Sequence, residues 1–174
     1  VSKDVKNVFE EFLAHFHDYE CTSKVKEQLI NAEIPTELKE LLDYIPARTV
    51  WAFGGDGWAY DIGFGGIDHV LSSNENVKIL VLDTEVYSNT GGQMSKSSHK
   101  GQVAEFADYG KRMQKKDLFR IAMSYPNCYV ASISLGANMM HTLKVFQEAE
   151  AHQGPSIILA YAPCIEHGIK GGMS

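Results

Sequence analysis

No stretch of this sequence stays apolar for anything near the roughly 18 residues that a membrane-spanning helix requires. The longest runs, Ile79 to Leu82 and Ile157 to Ala162, stop after a few residues, so no span is expected and the protein reads as soluble. A secretory leader is not expected either, because Lys3 to His17 mixes acids and bases through its apolar positions. Positive charge is in deficit: 16 Lys and Arg against 22 Asp and Glu leave a formal net charge of -6, which argues against nucleic acid as a partner. The three cysteines, Cys21, Cys128 and Cys164, are odd in number and widely spaced. They make no CxxC pair and no disulfide framework, and they suit a reducing compartment. Cys128, inside the apolar run Cys128 to Ala131, reads as a buried free thiol. The five prolines are scattered, and neither a repeat nor a low-complexity segment is visible. What is present is enough for one globular domain of ordinary size: 174 residues, 44% of them hydrophobic. The chain begins at Val1 and closes on Gly171-Gly172-Met173-Ser174, which reads as an excerpt entering a further loop.

Residues 1–47 read as a helical segment preceding the core. Val5, Val8, Phe9, Phe12, Leu13 and Phe16 recur at helical steps, and Pro35-Thr36-Glu37 opens a second amphipathic run through Leu38, Leu41 and Leu42. From residue 48 to 174 the texture is that of an α/β core. Four short apolar runs read as strands: Thr49 to Phe53, Val77 to Leu82, Cys128 to Ile133 and Pro155 to Ala162. Helical patterns are expected at roughly Tyr60 to Leu71, Val103 to Tyr109, Asp117 to Tyr125 and Ala137 to His152. Strands alternating with helices imply a parallel sheet flanked by helices, with ligands bound at the carboxyl ends of the strands. Three of those ends carry Gly54-Gly55-Asp56-Gly57, Asp83-Thr84-Glu85 and Ala162-Pro163-Cys164.

Glycines 54, 55 and 57, after a strand and before a helix, allow a bulky anion to approach the backbone. The competing reading is a plain tight turn, with Gly63, Gly65 and Gly66 serving close helix packing. A dinucleotide fingerprint fails, since Gly55-Asp56-Gly57-Trp58-Ala59-Tyr60 puts tyrosine where GxGxxG needs its last glycine. Asp56 repels a bare phosphate, so a cation between the two is the simplest reconciliation, and magnesium is expected. The Thr84 hydroxyl and the carbonyl of Val86 could complete the oxygen set. The polar run Asp83 to Gln93 is long for a strand-to-helix connection, which marks it as a working loop.

The pair GGDGWAYDIGFGGIDHV and LDTEVYSNTGGQ, with Asp56 and Thr84 separated by 84 - 56 = 28 positions, resembles the thiamine-diphosphate signature of pyruvate:ferredoxin oxidoreductases. The similarity extends through Gly110-Lys111-Arg112, Lys115 to Leu118, Gly136-Ala137-Asn138, Glu148 to Ala151 and Ala160 to Cys164. It runs from about Thr49 to the end, with a looser match before. Thr84 stands where the wider thiamine family more usually has asparagine, which favours the ferredoxin-linked branch.

The resemblance implies a thiamine-diphosphate-binding fold in which Asp56, Thr84 and the Val86 carbonyl hold Mg2+. Gly55, Asp56, Gly57, Trp58, Thr84, Glu85, Val86, Tyr87, Ser88 and Asn89 would surround the diphosphate. Asn89 would carry a catalytic role, donating a hydrogen bond to developing charge at the thiazolium and the bound 2-oxo acid. Cys164 resembles one ligand of a 4Fe-4S cluster; its other ligands, and the glutamate that activates the aminopyrimidine, are absent here. The implied parent enzyme decarboxylates pyruvate oxidatively with coenzyme A and passes electrons to ferredoxin or flavodoxin. The implied partners are the remaining domains of the parent chain and a second copy in a homodimer. The implied location is the cytoplasm or a reducing, hydrogenosome-like organelle of anaerobic metabolism. Rival readings are a fusion delivering electrons to NADP, a thiamine enzyme without iron-sulfur clusters, and a non-catalytic segment that keeps the fold. Lys111, Arg112, Lys115 and Lys116 form a basic patch that could touch coenzyme A or acidic ferredoxin but reads as a solvated helix end; His99 reads as a loop histidine and His69 as a helix-packing one, none with an assigned role.

Overall fold

The computed structural model describes residues 3–167. The chain divides into two compact units, the first ending at Thr49 and the second beginning at Val50.

The first unit is helical. Helices α1 (Lys3–Ala14), α2 (Tyr19–Ile30) and α3 (Thr36–Lys39) are followed by a 3-10 turn, Leu42–Tyr44. Val5, Val25, Leu29, Ile34 and Leu42 form its core. The α1 stripe is narrower than the sequence pattern implies. Leu13 is exposed, and Phe16 lies beyond the helix and is exposed too. The second run is also shorter than expected, because α3 ends at Lys39 and Leu41 faces outward while Leu42 turns in. Helix α2 is additional to the expected elements, although its signal is present. Asp18 caps it by accepting from Cys21 N at 2.9 Å, and Thr22, Val25 and Leu29 recur on its buried face.

The second unit is built on a four-stranded parallel sheet ordered β1-β2-β6-β5, from β1 (Val50–Gly55), β2 (Val77–Asp83), β5 (Tyr129–Ile133) and β6 (Ser156–Tyr161). A separate antiparallel pair, β3 (Val86–Tyr87) and β4 (Gln93–Met94), leaves the end of β2. Helices α4 (Phe64–Ser72), α5 (Leu118–Ala122) and α6 (Met139–Ala151) complete it. The step from β1 to β2 and the step from β5 to β6 run in opposite directions along the sheet. With right-handed crossovers, their helices fall on opposite faces.

Both faces of the central strands are therefore covered. Ile79, Val81, Ile157 and Leu159 pack with Ile67 and Leu71 of α4 and Leu118 and Ala122 of α5. Leu80 and Ile158 pack with Val145 and Ala149 of α6. This is why β2 and β6 read as unbroken apolar runs, each such side chain contributing about 1.5–3 kcal/mol on burial. One exception interrupts β2. Lys78 is wholly buried, and its ammonium donates to the carbonyls of His152 at 2.6 Å and Gly154 at 2.9 Å, tying the connection from α6 into β6.

The expected helix at Val103 to Tyr109 does not form. Those residues make short bridges and turns, and Val103, Phe106 and Tyr109 are exposed, so their spacing has no core to face. Residues 111–116 are likewise irregular rather than a helix end. No helix among the described residues is long and apolar enough to cross a membrane.

Candidate cofactor and metal site

The register of the sheet assembles the site. Gly55 of β1 pairs with Leu82 of β2, and Asp83 of β2 pairs with Tyr161 of β6, so three neighbouring strands release their loops side by side. The loops are stitched together by Ala162 N donating to Asp83 O at 3.1 Å and Cys164 N donating to Thr84 O at 3.3 Å.

After β1 the chain enters a single wide turn of π-helix, Gly57–Ile62, closed by Gly63 N donating to Trp58 O at 2.8 Å. Such turns recur at functional positions. The glycines of this segment have different tasks. A β-carbon on Gly54 would stand 2.2 Å from the Trp58 ring, and one on Gly63 2.4 Å from it, so these two make room for the indole. One on Gly57 would stand 2.7 Å from the Tyr87 ring. Gly55 alone of the β1 end faces open space, with nothing within 4 Å of that position. Gly65 and Gly66 also have no neighbour within 4 Å, so they do not serve close packing.

The Asp56 carboxyl is buried, and that burial pushes its pKa above the ordinary carboxylate range, against the lowering effect of hydrogen bonds from Ser95 and Thr84. Thr84 Oγ1 lies 2.9 Å from Asp56 Oδ1 and 2.9 Å from Val86 O. A hydroxyl has one proton, so it satisfies only one of these two acceptors at a time. Two neighbouring ligands of an octahedral magnesium ion, each 2.0–2.1 Å from the metal, lie about 2.9 Å apart. Oxygen chemistry and spacing therefore both fit Mg2+. Among the described residues there is no cluster of three or more His, Cys, Asp or Glu arranged to hold a metal, and this set contains only one of those types.

Beyond Thr84 the backbone turns sharply: Glu85 has φ of 65°, a conformation that costs a non-glycine residue energy and persists where the surroundings enforce it. Its side chain points to His99 Nε2 at 2.8 Å and Lys115 Nζ at 3.6 Å. The polar run read as a working loop is the β3–β4 hairpin, held by Gly92 N donating to Tyr87 O at 2.9 Å. Ser88 is half-buried, and Asn89 is exposed in the connection between the two strands. Trp58 and Tyr87 are half-buried and pack on the glycines already named. Cys164 Sγ lies 3.0 Å from His167 Nδ1, and that imidazole covers Gly92.

Several contributors carry no signal in the sequence pattern. Ser95, Ser97 and Ser98 are buried and reach three strand-end residues. The Ser95 hydroxyl bonds Asp56 Oδ2, that of Ser97 bonds Asp83 Oδ1, and that of Ser98 bonds Glu85 O. Lys111 is not a solvated residue but a buried one, donating to Ser98 O at 2.6 Å and Lys96 O at 3.1 Å, and burial lowers its pKa. Lys115 meets Asp83 at 2.6 Å, and Lys116 donates to Tyr60 O at 3.0 Å while lying over the Phe64 ring. A run of Ser-Lys-Ser-Ser and a cluster of lysines look solvent-loving in one dimension. Only their partners show otherwise. His99 does sit in a loop, whereas His69 is exposed on α4.

Beside this site lies a cleft of about 680 Å³ between Tyr60, Asp83, Lys115, Ser134, His141 and Tyr161.

Comparison with known proteins fits the geometry. Residues 34–160 match the family model for the thiamine pyrophosphate enzyme, C-terminal TPP binding domain. Over 145 residues, 82% of the chain, it is 60% identical to pyruvate-flavodoxin oxidoreductase of Trichormus variabilis, of which it spans 12%. It is also 60% identical over 132 residues, 76% of the chain, to the mitochondrial pyruvate dehydrogenase (NADP+) of Euglena gracilis, of which it spans 7%. A solved 2-oxoglutarate:ferredoxin oxidoreductase from Magnetococcus marinus shares the fold, with a TM-score of 0.67 at 24% identity, covering 71% of this chain and 42% of that one. The motif resemblance and the parallel-sheet expectation both stand, and the chain belongs to the thiamine pyrophosphate enzymes, whose C-terminal TPP-binding domain it carries.

Proposed function

We propose that this chain is the thiamine-diphosphate-binding part of an enzyme that converts pyruvate and coenzyme A to acetyl-CoA and carbon dioxide. The electrons pass through 4Fe-4S clusters to ferredoxin or flavodoxin. The observation that carries the reading is the convergence of Asp56 Oδ1, Thr84 Oγ1 and Val86 O at 2.9 Å spacings beside open space at Gly55. Pyruvate anion and CoA thiol give acetyl-CoA, carbon dioxide, two electrons and one proton, so two single-electron acceptors balance the reaction.

Asp56, Thr84 and the Val86 carbonyl would hold Mg2+, which neutralises the diphosphate charge that Asp56 alone would repel. When bound, the thiazolium supplies the electron sink for decarboxylation. Gly55 leaves the backbone bare where the diphosphate approaches, while Trp58, Glu85, Tyr87 and Ser88 frame it. Asn89, exposed on the hairpin, would donate a hydrogen bond to charge developing in the transition state. Cys164, tied by its amide to Thr84, would supply one thiolate of the nearest cluster, the other three coming from elsewhere in the parent chain. The exposure of Ile62, Phe106, Tyr109 and Met113 supports contact with the remaining domains or with a second copy in a homodimer. The cytoplasm or a reducing organelle is the location that suits unpaired cysteines and such clusters.

The similarity to the Euglena enzyme favours one second reading, a fusion that delivers the electrons to NADP+. Anaerobic assays of the full-length parent with pyruvate, CoA, Mg2+ and thiamine diphosphate separate the two by which acceptor is reduced. Loss of that activity in Asp56→Ala is the expected result. A parent with intact clusters that reduces neither acceptor from any 2-oxo acid would overturn both readings and leave a segment that keeps the fold without the chemistry.

A further inference from the structure

The hydroxyls of Ser95 and Ser98 each have a single proton and a fixed direction in which to send it. Ser95 Oγ accepts from Ser97 N at 3.0 Å, and Ser98 Oγ accepts from Ser95 N at 2.9 Å. With those lone pairs occupied by amides, the protons point outward, to Asp56 Oδ2 and to Glu85 O. The Ser95 bond occupies one oxygen of Asp56 and leaves the other, Oδ1, turned to Thr84 Oγ1. The carboxylate is thereby committed to presenting one oxygen at the metal position. Ser98 fixes the carbonyl of Glu85, the residue held at positive φ between two of the oxygen donors.

The segment itself needs an anchor, and Lys111 is placed to be one. Its backbone is pinned by Lys111 N donating to Gln102 O at 2.9 Å and Gly101 N donating to Lys111 O at 2.8 Å. Gly110 has φ of 84° and no room for a side chain, since a β-carbon would stand 2.8 Å from Gly101 O. That turn sends the Lys111 side chain inward to the carbonyls of Lys96 and Ser98. Lys96 O has a second donor in Lys116 N at 2.8 Å, so Ser98 O is the acceptor more dependent on Lys111.

We infer that Lys111 is a positioning residue for the metal and diphosphate site, acting through the Ser95–Ser98 segment to fix which oxygen of Asp56 and which backbone turn at Glu85 the cation meets. This rests on the reading of Asp56, Thr84 and Val86 as the Mg2+ set. Outer partners of metal ligands typically change affinity by roughly ten- to a hundredfold when removed.

The test is titration of the cofactor-free full-length protein with Mg2+ at fixed thiamine diphosphate, followed by tryptophan fluorescence. Lys111→Met keeps the buried stem and removes the ammonium; it should raise the half-saturating Mg2+ concentration roughly tenfold or more. Ser95→Ala should shift it in the same direction. The two together should cost no more than the larger single change, because they interrupt one path. Lys144→Met, which removes an exposed ammonium on α6 paired with Glu148, should leave the half-saturation point near wild type. Wild-type half-saturation in Lys111→Met would overturn the inference, as would independent, multiplying effects in the double variant. Should Lys111→Met fail to fold, Ser95→Ala alone decides, and wild-type binding there overturns it. If Asp56→Ala also binds Mg2+ and cofactor like wild type, the metal reading itself falls and this inference falls with it.

Discussion

Lys115 Nζ lies 2.6 Å from Asp83 Oδ2, the same oxygen to which the Tyr60 hydroxyl donates at 2.8 Å. Asp83 closes β2, immediately before Thr84, so this contact braces the strand end from which the proposed metal set departs. Lys115→Met removes the only cation within bonding range of this buried carboxylate among the described residues, while Tyr60 and Ser97 remain as donors. The expected loss is about 2 kcal/mol, below that of a fully orphaned buried charge. A drop in the thermal midpoint of the cofactor-free protein, little changed by added salt, is the check. An unchanged midpoint would show the pair to be neutral.

Gly54 and Gly55 should part company on substitution. Gly54→Ala forces a methyl into the Trp58 ring and should lower stability by about 1–3 kcal/mol. Gly55→Ala enters open space and should leave the cofactor-free midpoint within about 0.5 kcal/mol of wild type, yet weaken thiamine diphosphate binding. Thermal melts with and without cofactor distinguish them. Equal behaviour of the two variants would remove Gly55 from the proposed site.

Burial pushes the Tyr129 phenol up to about 12, and the hydrogen bond it donates to Glu148 at 2.7 Å acts in the same sense. Burial likewise pushes Tyr87 up to about 12, with Asp61 adding to the effect. Unfolded tyrosine titrates near 10, so between about pH 10 and 12 the folded protein holds more protons than the unfolded one. The stabilisation is fully present below about pH 10 and is lost as pH rises through about 12. Tyr129→Phe should flatten part of that alkaline decline. Stability curves of the two proteins over this range, with phenolate absorbance recorded alongside, provide the measurement.

Cys128 is half-buried rather than fully enclosed, but burial still pushes its thiol up to about 11. At pH 8 it should alkylate roughly a hundredfold more slowly than a free cysteine, since the thiolate is the reacting form. Peptide mapping after timed iodoacetamide treatment reads this directly. Fast labelling of Cys128 in the folded protein would contradict it.

The sheet is legible in the sequence because β2 and β6 are covered on both faces, and a strand so placed must be apolar at successive positions, as Ile79 to Leu82 is. Asp56 and Thr84 are legible because their spacing sits in motifs long enough to be distinctive. The structure brings their oxygens together with that of Val86. The support beneath them is not legible. Ser95, Ser97, Ser98 and Lys111 are polar residue types in a run of polar residues, and their burial arises from tertiary contacts with Asp56, Asp83 and Glu85 that leave no periodicity. Val103 to Tyr109 misleads in the opposite sense: its apolar spacing reads as a helix, yet Val103, Phe106 and Tyr109 face outward.

The pairing of Gly55 with Leu82 makes the proposed metal position a gauge of strand alignment. A slip of one residue between β1 and β2 would carry Thr84 about 3.3 Å along its strand axis, more than the whole spacing between two neighbouring ligands. A misaligned sheet would thus lose the proposed ion, while a correctly aligned one would gain stability with the logarithm of the ion concentration over its dissociation constant.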